Sequence, residues 1–422
     1  MKKALIFGVG NQYKKFIRQI TEDFEVIGLT DNDVSRHGTM VDGKTILSPE
    51  KAVNLEFDAV IVTPYNGRDE IIKQLLSLRV DSLKILNTAS LTSFLIDPMF
   101  FSMALNDNDK KILFKNNVET IYLEANSKCN RKCWFCPNSF LDRHSDNMLM
   151  PIELVSKVCD ELSQIDYAGT IDFSYYNEPL LDYTLEDKIV LVKEKLPKVK
   201  IHIVTNGDYL NKTRIAALEK AGLERIIISN YFSNSNKSPW TYELAKKVIQ
   251  DKADALSLSI NFITKSNDIE CYAVACYGNL NITMNCINFS RTGYHRAGLL
   301  KDTINSIVDR KTMCSHAYNG FIVAYTGEVV FCTQCHNGST EHKKYIVGDI
   351  NKDNIFNIFT SDNFTSLRKS TLCDVNSAPC TGCSSTITNL VYTPPCGPFM
   401  PRPRDAGYGI DYLEHSLIKN GD

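Results

Sequence analysis

The chain has 422 residues, with 47 Lys+Arg against 49 Asp+Glu, a formal net charge of −2, 43% hydrophobic and 23% charged residues. At about 150 residues per domain this is chain enough for about three domains. The charge balance argues against a nucleic-acid surface or a polybasic membrane patch, and no apolar run reaches the length of a membrane span. The start, Met1-Lys2-Lys3-Ala4-Leu5-Ile6-Phe7-Gly8, meets glycine too soon for a signal peptide, so a cytoplasmic protein is expected. Its 14 cysteines then point to metal or redox chemistry rather than to disulfides.

The first part alternates strands and helices. Strands are expected at 3–8, 25–29 (ending at Asp31), 58–63 and 83–87, with helices at 12–20 and 69–78. Apolar strands alternating with helices imply a parallel, doubly wound sheet, here a Rossmann-like domain over 1–92, followed by a linker over 93–117. A second βα series supplies strands at 120–124, 170–174, 200–204, 225–229, 256–262 and 279–284, and helices at 151–165 and 215–221, the latter closed by Gly222. Such units are too few to close a (β/α)8 barrel, so an open partial (β/α)6 barrel is expected over 118–300. Residues 301–390 show short strands at 321–325 and 328–331 around a Thr326-Gly327 turn, then helices at 354–359 and 362–370: a small α+β domain. The tail, 391–422, holds Pro394, Pro395, Pro398, Pro401 and Pro403 and is expected to be extended. No internal repeat is visible.

Cys129-Asn130-Arg131-Lys132-Cys133-Trp134-Phe135-Cys136 follows the first strand of the second series. Thiolates at this spacing can converge on one metal centre. Three of them on a four-iron cube leave one iron open for substrate or cofactor; a zinc knuckle or incidental core cysteines are the alternatives. The loop lies at the C-terminal end of a barrel strand, where barrel active sites form. Later strand ends carry Tyr176-Asn177-Glu178-Pro179, Thr205-Asn206-Gly207 and Asn230. One polar loop is ordinary turn chemistry; a succession of them at one end of a barrel reads as a site.

This constellation resembles the radical S-adenosylmethionine superfamily over 115–290. The resemblance implies that Cys129, Cys133 and Cys136 hold a [4Fe–4S] cluster, while S-adenosylmethionine chelates the open iron. Its reductive cleavage then gives a 5′-deoxyadenosyl radical that abstracts a substrate hydrogen. It further implies that Phe135 packs near the adenine and that Asn177-Glu178-Pro179 belongs to the methionine-amine segment. In that segment Tyr176 and Asn177 stand where the family has two glycines. Thr205 and Asn206 match positions near the ribose and carboxylate, and Asn230 joins the cofactor-binding set.

Cys314 and Cys332 flank Gly327, and Cys380-Thr381-Gly382-Cys383 comes later. Two such pairs can form a four-thiolate site for zinc or for a cluster. The layout resembles the Twitch form of the SPASM domain, which implies an auxiliary [4Fe–4S] cluster on Cys314, Cys332, Cys380 and Cys383. The segment 347–350 and the stretch ending Phe364-Thr365-Ser366-Leu367-Arg368 also fit that family's pattern. Two [4Fe–4S] clusters and S-adenosylmethionine are thus the expected cofactors. Cys335 and Cys373 remain over. Small apolar filler is the default, but Cys335 is also a candidate hydrogen donor, because epimerases of the superfamily return a hydrogen from a thiol. Cys159, Cys271, Cys276, Cys286 and Cys396 follow no spacing logic. Arg291 and Arg296 are expected in surface ion pairs, with a substrate contact as the alternative.

Gly8-Val9-Gly10 and Asp31 form a partial dinucleotide fingerprint, but Tyr13 occupies its third small position. NAD is therefore disfavoured. The segment resembles Rossmann-like domains of glycan biosynthesis, including one that binds a nucleotide-sugar. The expected function is hydrogen abstraction from a sugar, nucleotide-sugar or glycan precursor, giving oxidation or epimerisation. A flavodoxin or ferredoxin is the expected electron donor. Radical modification of a peptide is the alternative, and a zinc-stabilised nucleotide-binding protein is the non-enzyme one.

Overall fold

The computed structural model describes residues 2–64, 68–87, 98–142, 148–232, 239–264, 268–304, 314–373 and 377–383, apart from 11–12, 14–15, 18–19, 22–23, 82–83, 103, 315 and 382. The proline-containing tail, Cys396 and the side chain of Cys373 lie outside the described residues. The chain divides into two units, residues 1–98 and residues 99–387.

In the first unit, β1 (Lys2–Phe7), β2 (Phe24–Thr30), β3 (Met40–Val41), β4 (Lys44–Leu47), β5 (Ala59–Val62) and β6 (Ile85–Asn87) form a sheet in the order β3-β4-β2-β1-β5-β6. All neighbours pair in parallel except β3 with β4. Successive side chains of a strand point to opposite faces. So Ala4 and Ile6 pack with Phe16 and Ile20 on one side, while Leu5 and Phe7 pack with Ile71 and Leu75 on the other. The helix expected at 69–78 is Arg68–Ser77, and Tyr13, Phe16, Ile17 and Ile20 of the stretch 12–20 are helical. The β3–β4 hairpin was not expected. Asp42 (φ 47°) and Gly43 (φ 73°) build its turn, the Asp-Gly pairing that suits a two-residue hairpin. Gly8 has φ 93°, and a Cβ there would lie 2.2 Å from Pro64. Asp31 accepts the Val9 N–H at 2.8 Å and pairs with Arg36 at 3.0 Å. The carboxylate that a ribose would use is thus spent on its own loop.

The second unit holds β7 (Thr120–Leu123), β8 (Thr170–Asp172), β9 (Lys200–Thr205), β10 (Arg225–Ser229), β11 (Asn261–Phe262), β12 (Glu270–Tyr277), β13 (Leu280–Ile287), β14 (Gly320–Val323), β15 (Glu328–Val330) and β16 (Ile346–Asp349). They form a 10-stranded sheet in the order β11-β12-β13-β10-β9-β8-β7-β14-β15-β16. The run from β13 through β14 is parallel, and both ends are antiparallel. The sheet is open, as expected, but two expectations need correction. The strand expected at 256–262 shrinks to Asn261–Phe262, because Leu256 closes the helix Tyr242–Leu256 and Ser257 turns left-handed (φ 54°). Glu270–Tyr277, antiparallel to β13, was missed. The strands read as a separate α+β domain also continue this sheet, since β14 pairs in parallel with β7.

Parallel strands covered on both faces usually read as unbroken apolar runs. Here polar residues occupy a row: Tyr122, Asp172, His202 and Arg225 are register partners across β7, β8, β9 and β10, and all are buried. Within the stretch read as a linker, Asp107–Asn117 is a helix capped by Asn106, which accepts the Asp109 N–H at 2.9 Å. Its Phe114 meets Phe321, Phe356 and Phe359 edge-on at centroid distances of 5.4, 5.4 and 5.0 Å.

Candidate functional site

The Cys129–Cys136 loop leaves the C-terminal end of β7. A Cys136 N–H to Cys133 O bond of 2.9 Å folds it back on itself. Burial, and then the charges of the neighbouring cysteines, push the Cys133 thiol up to about 12; burial and, among its neighbours, Glu178 and Cys136 do the same to Cys129. Three thiols on one short loop at the end of a strand can share one iron–sulfur cluster. The donor set therefore fits such a group. Arg131 fixes the rim through a bidentate pair with Asp208 at 2.6 and 2.5 Å.

Glu178 is 1% exposed and ties the next strand ends together. Its carboxylate accepts the Thr205 hydroxyl at 2.6 Å, the Asn206 N–H at 2.8 Å and the Leu180 N–H at 3.1 Å. Burial pushes its pKa up to about 7 despite these donors. Asn206 reaches on to Asn130 of the cysteine loop at 2.8 Å. Glu178, Thr205 and Asn206 are thus brought together beside the cysteines. Asn177 is not: its side chain braces its own loop, accepting from Tyr175 N–H at 2.8 Å and donating to Phe173 O at 3.2 Å.

Phe135 and Asn230 line one cleft with Trp134, Tyr231, Trp240 and Phe289. Phe135 stacks on Phe289 with centroids 3.8 Å apart and planes 8° apart. Asn230 is held by β13, its N–H donating to Asn285 O at 2.7 Å, and its Oδ1 is buried without a donor. An aromatic wall beside an orphaned acceptor suits a planar heterocycle with an N–H group, such as adenine.

A second cavity is lined by all four cysteines of the other group, Cys314, Cys332, Cys380 and Cys383. Among the described residues no three His, Cys, Asp or Glu side chains close tightly enough around one point to hold a single metal ion; a cube spreads its ligands over several irons. Cys335 lines the same cavity and is 0% exposed. Gly327 (φ 94°) makes the β14–β15 turn, where a Cβ would lie 2.3 Å from Asn351.

Sequence reasoning missed the wall between these regions. Tyr175 donates its hydroxyl to Cys335 O, and Tyr176 donates to Gln334 O at 3.1 Å. These two adjacent rings, of which Tyr176 stands at a family glycine position, thus hold the loop after Cys332. The Tyr176 carbonyl accepts from Asn138 Nδ2, just past Cys136, at 2.6 Å, while its hydroxyl reaches the loop after Cys332. Arg296 lies over the Tyr176 ring at 5.7 Å and reaches Gln334 Oε1 at 3.4 Å, its Nε buried without a partner. The surface ion pair expected for it is absent among the described residues, and its left-handed backbone (φ 50°) turns it inward. Arg291 does make one, with Asp268 at 2.7 Å. Tyr176 in place of a glycine was the available signal.

Comparison with known proteins agrees with this geometry. Residues 124–230 match the family model of the Radical SAM superfamily, 314–384 the SPASM iron–sulfur cluster-binding domain, and 1–86 the C2185-like N-terminal domain. The S-adenosyl-L-methionine-dependent 2-deoxy-scyllo-inosamine dehydrogenase of Niallia circulans is 28% identical over 249 residues, 59% of this chain and 85% of that protein. GTP 3′,8-cyclase of Aquifex aeolicus is 27% identical over 195 residues, 42% of this chain and 58% of that protein. Among solved structures, BtrN in complex with AdoMet and 2-DOIA aligns at TM-score 0.46 and 24% identity, covering 63% of this chain and 92% of that one. The chain is a radical S-adenosylmethionine enzyme with a SPASM-type cluster domain. Its cofactors are S-adenosylmethionine and iron–sulfur clusters, a [4Fe–4S] cluster among them. No helix among the described residues is long and apolar enough to cross a membrane.

Proposed function

We propose that the chain dehydrogenates a small sugar, amino-sugar, aminocyclitol or nucleotide-sugar, turning a C–H/O–H pair into a carbonyl. Bound together, the first cluster and S-adenosylmethionine supply a 5′-deoxyadenosyl radical that removes a carbon-bound hydrogen. Cys129, Cys133 and Cys136 hold that cluster, Phe135 and Asn230 line the adenine cleft, and Glu178 with Thr205 and Asn206 braces the loops around it. Cys314, Cys332, Cys380 and Cys383 would hold the auxiliary cluster, whose chemistry would be acceptance of the second electron, with the hydroxyl proton passing to solvent. A flavodoxin- or ferredoxin-type protein supplies the first.

The observation that carries the reading is Tyr176, whose carbonyl accepts from Asn138, just past Cys136, and whose hydroxyl donates to Gln334 O, just past Cys332. With Arg296 and Gln334 it forms a buried polar wall between radical source and electron acceptor. Arg296 and Gln334 offer hydrogen bonds to substrate hydroxyl groups. Inversion is the weaker reading, since its hydrogen donor must face substrate, whereas Cys335 is fully buried in the wall of the second cavity. Peptide modification has no specific observation in its favour.

Anaerobically reconstituted protein, incubated with aminocyclitols and nucleotide-sugars in deuterated water, tests the proposal. Oxidation gives a product lighter by one hydrogen molecule. Solvent deuterium in a product of unchanged formula would establish inversion instead.

A further inference from the structure

Among the described residues Arg368 is a buried cation with no carboxylate partner. Its side chain is 0% exposed. Nε donates to Ala317 O at 2.8 Å and Nη1 to Phe359 O at 2.6 Å, and Nη2 is buried with no partner. Rings close the rest of the cage: Phe364 at 3.8 Å, Phe359 at 4.2 Å, Phe100 at 4.6 Å and Tyr318 at 5.8 Å. The contrast is Lys188, equally buried, which meets Asp182 at 2.5 Å. A buried charge without a counter-ion is costly, and neutral carbonyls and π-faces offset only part of that cost. Burial accordingly pushes the guanidinium down to about 9.

The missing anion has a place nearby. Ala317, Tyr318 and Thr371 line the second cavity with its four cysteines. Arg368 bonds the carbonyl of the first and faces the ring of the second. Its own carbonyl accepts the hydroxyls of Tyr318 at 3.4 Å and Thr371 at 3.0 Å. The guanidinium therefore stands one residue behind the cavity wall. An iron–sulfur cube with four thiolates is an anion, and reduction adds one more negative charge. We propose that Arg368 is the counter-charge of the auxiliary cluster and raises its reduction potential. The inference rests on the proposed four-cysteine ligation and goes beyond it: the cluster is tuned to accept the substrate electron. Net charge and burial are established levers on such potentials.

The test uses the full chain carrying Cys129→Ala, Cys133→Ala and Cys136→Ala, reconstituted anaerobically so that only the auxiliary cluster loads. Arg368→Met and Arg368→Lys are compared with this parent for iron content and for midpoint potential by EPR-monitored titration. Arg368→Met is expected to bind the cluster at a lower potential, the reduced form losing about tenfold, near 59 mV for a one-electron couple. Arg368→Lys, which keeps the charge, should fall between the two. Equal potentials in parent and Arg368→Met would overturn the proposal. Should Arg368→Met load no cluster, thermal melting decides. A counter-charge role destabilises only the cluster-loaded protein, by linkage, and is read from Arg368→Lys against the parent, with and without cluster. An equal loss in both states means a structural bolt and overturns the proposal. Absence of iron from the parent itself would instead overturn the ligation on which the proposal rests.

Discussion

Asp172, at the end of β8, is 3% exposed and lies between Tyr122 and His202 in the polar row. Burial pushes its pKa up to about 7, with the Ser174 donors and the Arg225 charge pulling the other way. The fold therefore prefers the protonated acid. A carboxyl group raised above its unfolded value of about 3.9 gives stability that is complete below that value and is lost as pH rises through about 7. Asp172→Asn keeps an oxygen for the Ser174 N–H, which bonds Oδ1 at 2.9 Å, and removes the titration. The variant should gain on the parent between about pH 4 and 7, with an upper bound of about 4 kcal/mol. Urea unfolding of both proteins at acidic and neutral pH checks this; a difference that does not change with pH contradicts it. At this scale the Cys129–Cys136 loop stands out in the sequence as a candidate, because its spacing is local. Asp172 does not, because its meaning depends on partners that only strand register supplies. Arg296 was misread for the same reason: a charged residue in a polar stretch looks solvated until the chain turns it inward.

Elements were legible wherever local chemistry sufficed. The runs AVIV of β5 and RIIIS of β10 are strands on apolar content alone, and Gly222, with φ 103°, ends Lys212–Ala221 as expected. Glu270–Tyr277 was lost because an alternating strand–helix series leaves no place for an antiparallel strand. Cys271 faces Cys286 as its register partner, and both are buried. The helix Asp107–Asn117 was read as linker because its sequence, DNDKKILFKNN, is mostly polar. Only Leu113 and Phe114 are buried in it, so these two side chains carry much of its docking. Phe114→Ala should cost about 3–5 kcal/mol, the range for emptying an aromatic site in a packed core. Ile112, 41% exposed on the same helix, is the control, and Ile112→Ala should stay within about 0.5 kcal/mol. Denaturant unfolding separates the two; similar losses would show that helix propensity, not the ring contacts, holds the segment.

The second unit as a whole joins two thiol sites through one sheet, with β7 leading into the Cys129 loop and its neighbour β14 standing beside the second cavity. Each site has its own walls and its own cysteines, so their chemistry should separate by mutation. In the proposed function, cofactor cleavage draws on Cys129, Cys133 and Cys136, with Glu178 bracing the loops beside them, and removal of the substrate's second electron draws on the other four. The variant Cys380→Ala/Cys383→Ala should therefore keep about four irons per chain against about eight in the parent. Supplied with reductant and substrate, it should still release 5′-deoxyadenosine while forming no oxidised product. Cys133→Ala should lose both. Iron analysis and chromatography of the cleaved cofactor and of the product read these outcomes independently. Oxidised product from the first variant at the parental rate would mean that the electron leaves by another route. Cleavage lost along with the second pair would mean that β7 and β14 transmit the damage, making the two sites one cooperative structure.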